Sequence, residues 1–391
     1  MRNILAFDFS RKLELPYTSP AEAVDVVLNG DYKGCYQLCD HIDVRKNRVD
    51  IEEMSNNDLT GGYAIEIDAF AYSEPKKFYS SLYNIPVTIK YPDEDDITSA
   101  QENYIASHFN KLTAAVASSG NNEAQTSFSK YMDLETFLRH FLVGEYTGNT
   151  DTYWSVRMYK KRDNDQFYFG PVWDFDLGFE NDWRTYPINT NANNSNQWVC
   201  LTNTGSSAGG TKDFIRKILA NNEVQRKLAE IYAHYRDNDI ISENILLGVM
   251  DSCTQLLNAS QDLNFKRWQI LYTKVHENPM VYGTYTWEVN NVRRYISGRI
   301  QWMDSKLNYV PTVSNENSYK ATTANIWTNE KTICLSTSES FEVSVYNLNG
   351  SIVKKEKISA GSHRLSTDKG FYIVTLINNK GIKYNYKCFV P

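Results

Sequence analysis

Apolar residues along the chain recur with two different periods, and together these predict a fold of helices and strands with a β-rich end. Helical spacing of apolar residues is found in the regions 2–14, 104–116, 132–146 and 214–308. Alternation of apolar and polar residues predicts strands in the segments 24–30, 34–40, 61–68 and 85–91. From residue 331 onward, short alternating segments separated by turns such as Asn349-Gly350 predict a small β-sandwich. The predicted fold class is therefore α+β, followed by a C-terminal β-sandwich.

Two short strands in the middle of the chain frame its most informative polar residues. They are predicted over residues 155–160 and 167–173, joined by a polar turn at residues 162–165. Pairing of these strands would bring Asp151, which precedes the first strand, close to Asp174, which follows the second. Two aspartates that are distant in sequence are thus expected to meet at one end of a hairpin.

Asp174 and Asp176 flank Phe175, and in extended backbone residues two apart lie on the same face. These two carboxylates are therefore expected to point the same way. Carboxylates gathered at the end of a hairpin, with few basic residues nearby, favour a divalent cation bound by oxygen ligands. The alternative is that aspartates beside glycine and asparagine, such as Asp151 after Asn149, serve only the hydrogen bonding of turns.

The residues around these aspartates form two motifs, GNTDT at 148–152 and GPVWDFDLGF at 170–179. Upstream segments of matching character are VDVVLNGDYKGCYQLCDHID at 24–43, GGYAIEID at 61–68 and IPVTIKYPDEDDI at 85–97. In this order the segments resemble the spore coat protein H (CotH) kinase family, an atypical branch of the protein-kinase-like fold. The resemblance predicts a CotH kinase-like domain over residues 1–310. The polar composition of residues 311–330 predicts a linker, and the alternating segments place the β-sandwich over 331–391.

The resemblance also implies an incomplete N-terminal lobe ahead of a helical C-terminal lobe. Family members carry, before the first helix, a strand with the lysine that grips the nucleotide phosphates, and this chain starts at that helix. Lys90 is the other candidate for this role, but its place on a strand before Pro92 is more typical of a surface lysine. Glu66 and Asp68 alternate with apolar residues and are expected on a solvated sheet face, a second acidic lining of the cleft being the alternative.

On the kinase template, the resemblance implies a role for each central carboxylate. Asp151 would orient or deprotonate the acceptor hydroxyl. Asp174 would bind the metal, like the aspartate of the DFG motif, and Asp176 could add a second metal contact.

Three further positions enter the site through the same resemblance. Many family members have an asparagine a few residues after the first aspartate as a second metal ligand, and because Ser155 stands there in this chain, Ser155 or Asn149 would replace it. Asp40 takes the place at the hinge between the lobes where the family usually has glutamate. Trp173, beside the metal aspartate, would pack in the core or, alternatively, stack on a nucleobase.

Composition limits the partners of the chain. Its 391 residues carry a net charge of −6 without a concentrated basic region, which argues against a nucleic-acid partner. No apolar run approaches the length of a transmembrane segment. Charges such as Asp8 and Arg11 interrupt the first residues, unlike a signal peptide.

The C-terminal strands carry a second resemblance. The segments VYNLNGSIV at 345–353 and FYIVTL at 371–376 resemble the C-terminal sorting domains of the type IX secretion system of Bacteroidetes. This resemblance implies contact with a secretion machinery and an extracellular or cell-surface location, reached through an N-terminal signal that this sequence does not include.

The leading hypothesis from the sequence is a protein kinase of the CotH type that uses ATP and Mg²⁺ to phosphorylate Ser or Thr of a protein acceptor. The rival hypothesis is a catalytically impaired, pseudokinase-like surface protein that acts as a binding module. The missing strand and the altered asparagine favour the rival, whereas the intact DFD motif favours the enzyme. A metal-dependent hydrolase is disfavoured because no histidine cluster accompanies the acidic residues.

Overall fold

The computed structural model divides into two compact units, Met1–Val310 and Pro311–Pro391. It describes residues 1–55, 57–122, 127–186, 198–202, 209–311, 324–329, 331–381 and 383–390. Helices and sheets mix in the first unit, and the second unit is built from strands. The predicted mixture of helices and strands and the β-rich C-terminal region are confirmed.

Eight α-helices lie within the described residues, all of them in the first unit. They are α1 (Arg2–Lys12), α2 (Ser99–Ser118), α3 (Leu134–Thr147), α4 (Gly209–Leu219), α5 (Asn222–Asp237), α6 (Glu243–Leu256), α7 (Asn258–Arg267) and α8 (Tyr285–Lys306). Within these described ranges, no helix is both long and apolar enough to cross a membrane.

The helix that leads to the central motif has clear start and stop signals. Helix α3 begins after Asp133, whose carboxylate accepts a hydrogen bond from the N–H of Thr136 at 2.8 Å. It ends at Gly148, which adopts a left-handed backbone with φ of 68° that glycine tolerates without strain. The chain therefore turns directly from α3 into the segment that contains Asn149 and Asp151.

The main sheet of the first unit has five antiparallel strands in the order β4-β5-β3-β6-β7. A separate hairpin pairs β1 with β2. The strands are β1 (Ala21–Leu28), β2 (Asp31–Cys39), β3 (Tyr63–Asp68), β4 (Lys77–Tyr79), β5 (Pro86–Tyr91), β6 (Ser155–Lys160) and β7 (Phe167–Phe169). Because β3 lies between β5 and β6, Glu66 is placed opposite both Thr88 and Arg157.

The second unit consists of two sheets, with strand orders β11-β10-β13-β14 and β12-β9-β8. The strands are β8 (Ala324–Asn329), β9 (Thr332–Thr337), β10 (Phe341–Asn347), β11 (Ile352–Ile358), β12 (Gly361–Ser366), β13 (Gly370–Asn378) and β14 (Lys383–Val390). Apolar side chains from both sheets form one core, among them Ile333, Val343 and Val374. The segment predicted as a linker, 311–330, includes strand β8, because Ala324 and Ile326 pack against this core; its residues 312–323 lie outside the described residues.

A buried ion pair fixes the end of α3 against α8. Glu145 and Arg299 are inaccessible to solvent, with Nη2 of Arg299 3.2 Å from Oε2 of Glu145 and Nε donating to the Glu145 carbonyl at 2.8 Å. The Glu145 carboxylate also accepts hydrogen bonds from the Tyr153 hydroxyl at 2.6 Å and from the N–H groups of Val199 at 2.6 Å and Cys200 at 2.9 Å. This single carboxylate therefore attaches three other segments to α3.

Replacing Arg299 by methionine is expected to lower the free energy of unfolding of the first unit by about 3–5 kcal/mol, because Glu145 would remain as an unpaired buried charge. Denaturant unfolding followed by tryptophan fluorescence measures this change. Arg293→Met on the same helix is the matched control, since Arg293 pairs with the exposed Asp251 and its loss should cost less than about 1 kcal/mol. Equal, small losses in both variants would show that the buried pair does not stabilise the unit.

Candidate functional site

A cavity of about 680 Å³ opens between the hairpin β1–β2, the main sheet and the loop that follows β7. Its wall includes the predicted residues Asp40, Trp173 and Asp174, together with Lys90 and Arg157. The volume lies within the range of small-molecule and cofactor sites in proteins, roughly 300–1,000 Å³. Three of the six predicted site residues are therefore brought to one cavity.

The other predicted residues lie next to this cavity rather than in its described wall. The charges of Asp151 and Asp176 both act on the carboxyl group of Asp174. Asn149 contacts the backbone of the same residue, with its Nδ2 donating to the Asp174 carbonyl at 2.8 Å. The hairpin β6–β7 thus brings the GNTD and DFD segments together, as the sequence predicted.

The loop after β7 places Asp174 at the edge of the cavity. The strand ends well before residue 173, the predicted boundary, since Pro171 has no N–H with which to continue the ladder. Asp174 adopts a left-handed backbone with φ of 56°, an uncommon conformation for a residue other than glycine. Beside the contact from Asn149, the N–H of Phe175 donates to Oδ1 of Asn3 at 2.5 Å. The contacts from Asn149 and Asn3 therefore hold the left-handed backbone of Asp174.

The DFD motif is not an extended strand, so the reason given for aligning its two aspartates is wrong, although their carboxyl groups do meet. The left-handed backbone at Asp174 interrupts the extended chain on which it rested. Asp174 lines the cavity described above, whereas Asp176 lines a second cavity of about 420 Å³. Their carboxyl groups nevertheless interact. Desolvation raises the pKa of Asp174 most, and the hydrogen bond with Asp176 and the charge of Asp176 raise it further, to about 7. A cation between the two groups would relieve their repulsion.

Asn149 is buried, with 1% of its surface exposed, and its amide is only partly used. Its Oδ1 is buried and has no hydrogen-bond partner within the described part of the chain. A buried polar atom without a partner is uncommon, and a bound water or ion is one explanation for it. Ser155, the other candidate for the missing ligand, donates its hydroxyl to Oε1 of Glu66 at 2.9 Å. Asn149 therefore fits the ligand role better than Ser155.

Asp151 lies in a short 3-10 turn, Thr150–Tyr153, immediately after α3. Its Oδ1 accepts a hydrogen bond from Nε1 of Trp154. Desolvation raises the pKa of Asp151, while the hydrogen bond from Trp154 and the charge of Arg184 act in the opposite direction. A carboxylate with a raised pKa suits the acceptance of a proton near neutral pH.

Asp182 and Arg184 support the turn that carries Asp151, and the sequence analysis did not single them out. Asp182 is fully buried and accepts hydrogen bonds from the Thr150 hydroxyl at 2.5 Å and from Nε of Arg184 at 2.8 Å. The guanidinium of Arg184 lies over the ring of Trp154, 4.7 Å from its centroid. No spacing signal marks these residues, because the contact arises where the chain folds back over the turn after the DFD motif.

The expectation of a solvated face for Glu66 and Asp68 is wrong. The two residues are 3% and 7% exposed, because β3 is a central strand whose polar side chains are covered by its neighbours. Oε2 of Glu66 lies 3.2 Å from Nη2 of Arg157 and 3.6 Å from Nζ of Lys90. Desolvation raises the pKa of Glu66, and the charges of Arg157 and Lys90 oppose this shift. Lys90 is therefore part of the cavity wall and not the surface lysine that its sequence context suggested.

Asp40 and Trp173, the two residues proposed for the nucleotide, both line the cavity that Asp174 lines. Asp40 follows β2 and forms a long ion pair with Arg48, 3.5 Å between Oδ1 and Nη2. Trp173 is half-buried rather than packed in the core, and the guanidinium of Arg157 lies 5.0 Å from its ring centroid. Part of the indole surface is therefore open to a ligand.

The donor atoms fit a divalent cation that binds together with a phosphate ligand. Within the described ranges, no group of three or more His, Cys, Asp or Glu side chains converges as a metal site. Asp174, Asp176 and Asn149 nevertheless offer the oxygen donors that Mg²⁺ prefers, and Mg²⁺ commonly uses one or two carboxylates and completes its shell with water and substrate phosphates. The unpaired Asn149 oxygen and the mutual repulsion of the carboxyl groups both favour a cation here.

Mn²⁺ in the presence of inorganic pyrophosphate is expected to raise the melting temperature of the wild-type chain, because a ligand that binds only the folded state stabilises it. Asn149→Ala should lose most of this metal-dependent increase, measured by differential scanning fluorimetry with and without Mn²⁺. Asn181→Ala is the matched control: Asn181 donates to the Asp176 carbonyl at 2.8 Å, but its Oδ1 already accepts from Asn278 at 2.7 Å. An unchanged increase in Asn149→Ala would contradict the ligand role.

Comparison with protein-family models places the chain in a known family. A model of the family described as CotH kinase protein matches residues 1–303, a range that contains every site residue described above. A comparison with curated proteins gave no match. Since the family model covers 303 of the 391 residues, the chain belongs to the CotH kinase protein family.

Proposed function

We propose that this chain is a protein kinase with an atypical kinase-like fold, which uses ATP and Mg²⁺ to phosphorylate a Ser or Thr hydroxyl of a protein. Membership of the CotH kinase protein family supports a kinase-like function in broad terms. The observation that carries the finer proposal is the arrangement around Asp174. This residue stands at the edge of a nucleotide-sized cavity, with Asn149, Asp151 and Asp176 beside it.

ATP would occupy the cavity with its base near Trp173 and Asp40. The half-buried indole of Trp173 offers a surface for stacking, and Asp40 offers a carboxylate that accepts hydrogen bonds. Asp174 lines the same cavity, so the phosphate chain of ATP would extend toward the DFD motif. The proposed roles of Asp40 and Trp173 are thus compatible with a single bound nucleotide.

Asp174, Asp176 and Asn149 would hold Mg²⁺, which when bound offsets the charge of the phosphate oxygens and orients them. Asp151 would accept the hydrogen bond of the acceptor hydroxyl and take its proton as that oxygen attacks the γ-phosphorus. The bond from the γ-phosphorus to the β,γ-bridging oxygen would break, and ADP would leave with its electron pair. The raised pKa of Asp151, caused by desolvation, makes the carboxylate a better proton acceptor. Asp182 and Arg184 would keep the turn in place, so that Asp151 stays oriented toward the acceptor.

Isothermal titration of ATP with Mg²⁺ tests the proposal. The wild-type chain should bind, and Asp174→Ala should weaken the metal-dependent binding by at least about tenfold, since a charged ligand contact is worth roughly 1.5–3 kcal/mol. Asp213→Ala is the control, because Asp213 is an exposed aspartate on α4 that pairs with Arg216 at the surface. The proposal would be contradicted if the wild-type chain did not bind ATP, or if the wild type and Asp174→Ala bound it equally well.

A second candidate function, a pseudokinase-like binding module, is favoured by one observation. Ser155 occupies the place where many family members have a metal-binding asparagine, and its hydroxyl is already engaged by Glu66. The two functions differ in phosphoryl transfer rather than in nucleotide binding. In an assay with radiolabelled ATP and a mixture of protein acceptors, an enzyme gives incorporation that Asp151→Asn reduces by about 10²-fold or more. A binding module gives none with either chain.

We also propose that the C-terminal unit directs export to the cell surface. Its support is the resemblance of residues 345–353 and 371–376 to sorting domains, together with a strand-built unit that forms its own core. Protease added to intact cells of the native host should cleave the chain. Full protection until the cells are lysed would contradict export.

A further inference from the structure

The sheet β11-β10-β13-β14 of the second unit has an outward face, opposite the core, with an exposed apolar group at one end. Phe371 of β13 and Phe389 of β14 lie opposite each other and are 59% and 43% exposed. Their rings pack on each other, with centroids 4.7 Å apart and an interplanar angle of 43°. Ile373, two residues further along β13, is on the same face and 38% exposed. A contiguous group of exposed apolar side chains is typical of a binding surface.

Lysines stand beside this apolar group on the outward face. Lys387 of β14 lies opposite Ile373, and Lys383 precedes it on the same strand. The four residues between these lysines span about 13 Å of extended chain. On the far edge strand β11, Lys355 pairs with Glu342 at 2.7 Å. In the part of the chain that the structure describes, no ion pair engages Lys383 or Lys387, so this edge offers positive charge over more than the length of a single small anion.

A row of short polar side chains crosses the middle of the face. Ser344 of β10 lies opposite Thr375 of β13, and Oδ1 of Asn385 on β14 accepts a hydrogen bond from the Thr375 hydroxyl at 2.7 Å. Ser344 and Thr375 point outward but are only 6% and 3% exposed. The longer Ile373 and Ile377 stand on either side of Thr375 along its strand. The row is therefore a shallow recess, which a linear chain can enter and the flat surface of a bilayer cannot.

These three groups together fit an acidic polysaccharide. Lysine ammonium groups pair with carboxylates, side-chain hydroxyl and amide groups hydrogen-bond to sugar hydroxyls, and aromatic rings pack against the apolar C–H face of a sugar ring. A single-stranded nucleic acid matches the face less closely. Its bases need aromatic rings that are free to stack, whereas Phe371 and Phe389 are tilted against each other. Arginine, the preferred residue for phosphate, is also missing from the described residues of this face.

The charge of the C-terminal region agrees with a polyanionic partner. Residues 331–391 contain nine lysines and arginines but four aspartates and glutamates, whereas the whole chain has a net charge of −6. The second unit is thus positive in a protein that is negative overall. A positive surface attracts polyanions at long range and raises their rate of association.

We propose that the outward face of this sheet binds an acidic polysaccharide. Lys383 and Lys387 pair with its carboxylates, and Phe371 and Phe389 contact sugar rings at one end of the face. The recessed row that contains Thr375 hydrogen-bonds to sugar hydroxyls. This binding function belongs to the second unit and is independent of both phosphoryl transfer by the first unit and export.

Isothermal titration of alginate oligosaccharides, in which each sugar carries a carboxylate, into the full chain tests the proposal. The wild-type chain should bind alginate but not dextran, which is neutral. Lys383→Ala/Lys387→Ala should weaken alginate binding by at least about tenfold, because two charged contacts are lost. Phe371→Ala should also weaken it, since a sugar ring loses its apolar contact. The melting temperature of each variant shows whether the sheet remains folded.

Lys331→Ala/Arg364→Ala is the matched control, because it removes the same charge from exposed residues outside this face, next to β9 and on β12. It should bind alginate like the wild type. Equal weakening in both double variants would overturn the proposal, since net charge alone would then explain binding. The proposal also fails if the wild-type chain binds dextran as well as alginate. Binding only to oligothymidylate or to phosphatidylglycerol vesicles, or to none of these probes, would likewise contradict it.

Discussion

Glu145 is the buried charge on which the geometry of the site depends. It lies in the last turn of α3, and its carboxylate is satisfied by Arg299 of α8, the hydroxyl of Tyr153 and two N–H groups of the segment 198–201. Tyr153 belongs to the turn that carries Asp151, and the same helix end leads to Asn149. A buried carboxylate is stable only with all its partners in place. Folding of the helical region therefore also positions Asn149 and Asp151.

The left-handed backbone at Asp174 is the second constraint, because it lets Asp174 and Asp176 line different cavities while their carboxyl groups stay in contact. Asp174 turns toward the nucleotide-sized cavity, and Asp176 lines the neighbouring cavity. Lys90 of β5 and Arg157 of β6 line the first cavity together with carboxylates that include Asp40 and Asp174. A metal ion held at Asp174 would offset the charge of a phosphate chain in this cavity, with the acceptor near Asp151.

Features that depend on local patterns were predicted correctly from the sequence. The predictions failed where contacts between distant strands determine the structure. The end of α3, the pairing of residues 155–160 with the strand after them, and the approach of Asp151 to Asp174 all follow from periodicity and turn residues. The burial of Glu66 does not, because alternation shows that polar residues share a face but not that neighbouring strands cover it. Lys90 was misjudged for the same reason. The side chains of Asn149 and Asn3, from two other segments, hold the backbone at Asp174 and Phe175, and no local pattern encodes these contacts.

The most direct test of the central claim is a crystal structure of the chain with Mn²⁺ and a non-hydrolysable ATP analogue. Our account predicts an anomalous manganese peak within about 2.0–2.3 Å of an oxygen of Asp174, with the base near Trp173 and the phosphates in the cavity lined by Lys90 and Arg157. A nucleotide bound outside this cavity, or a manganese ion coordinated away from the DFD motif, would contradict it.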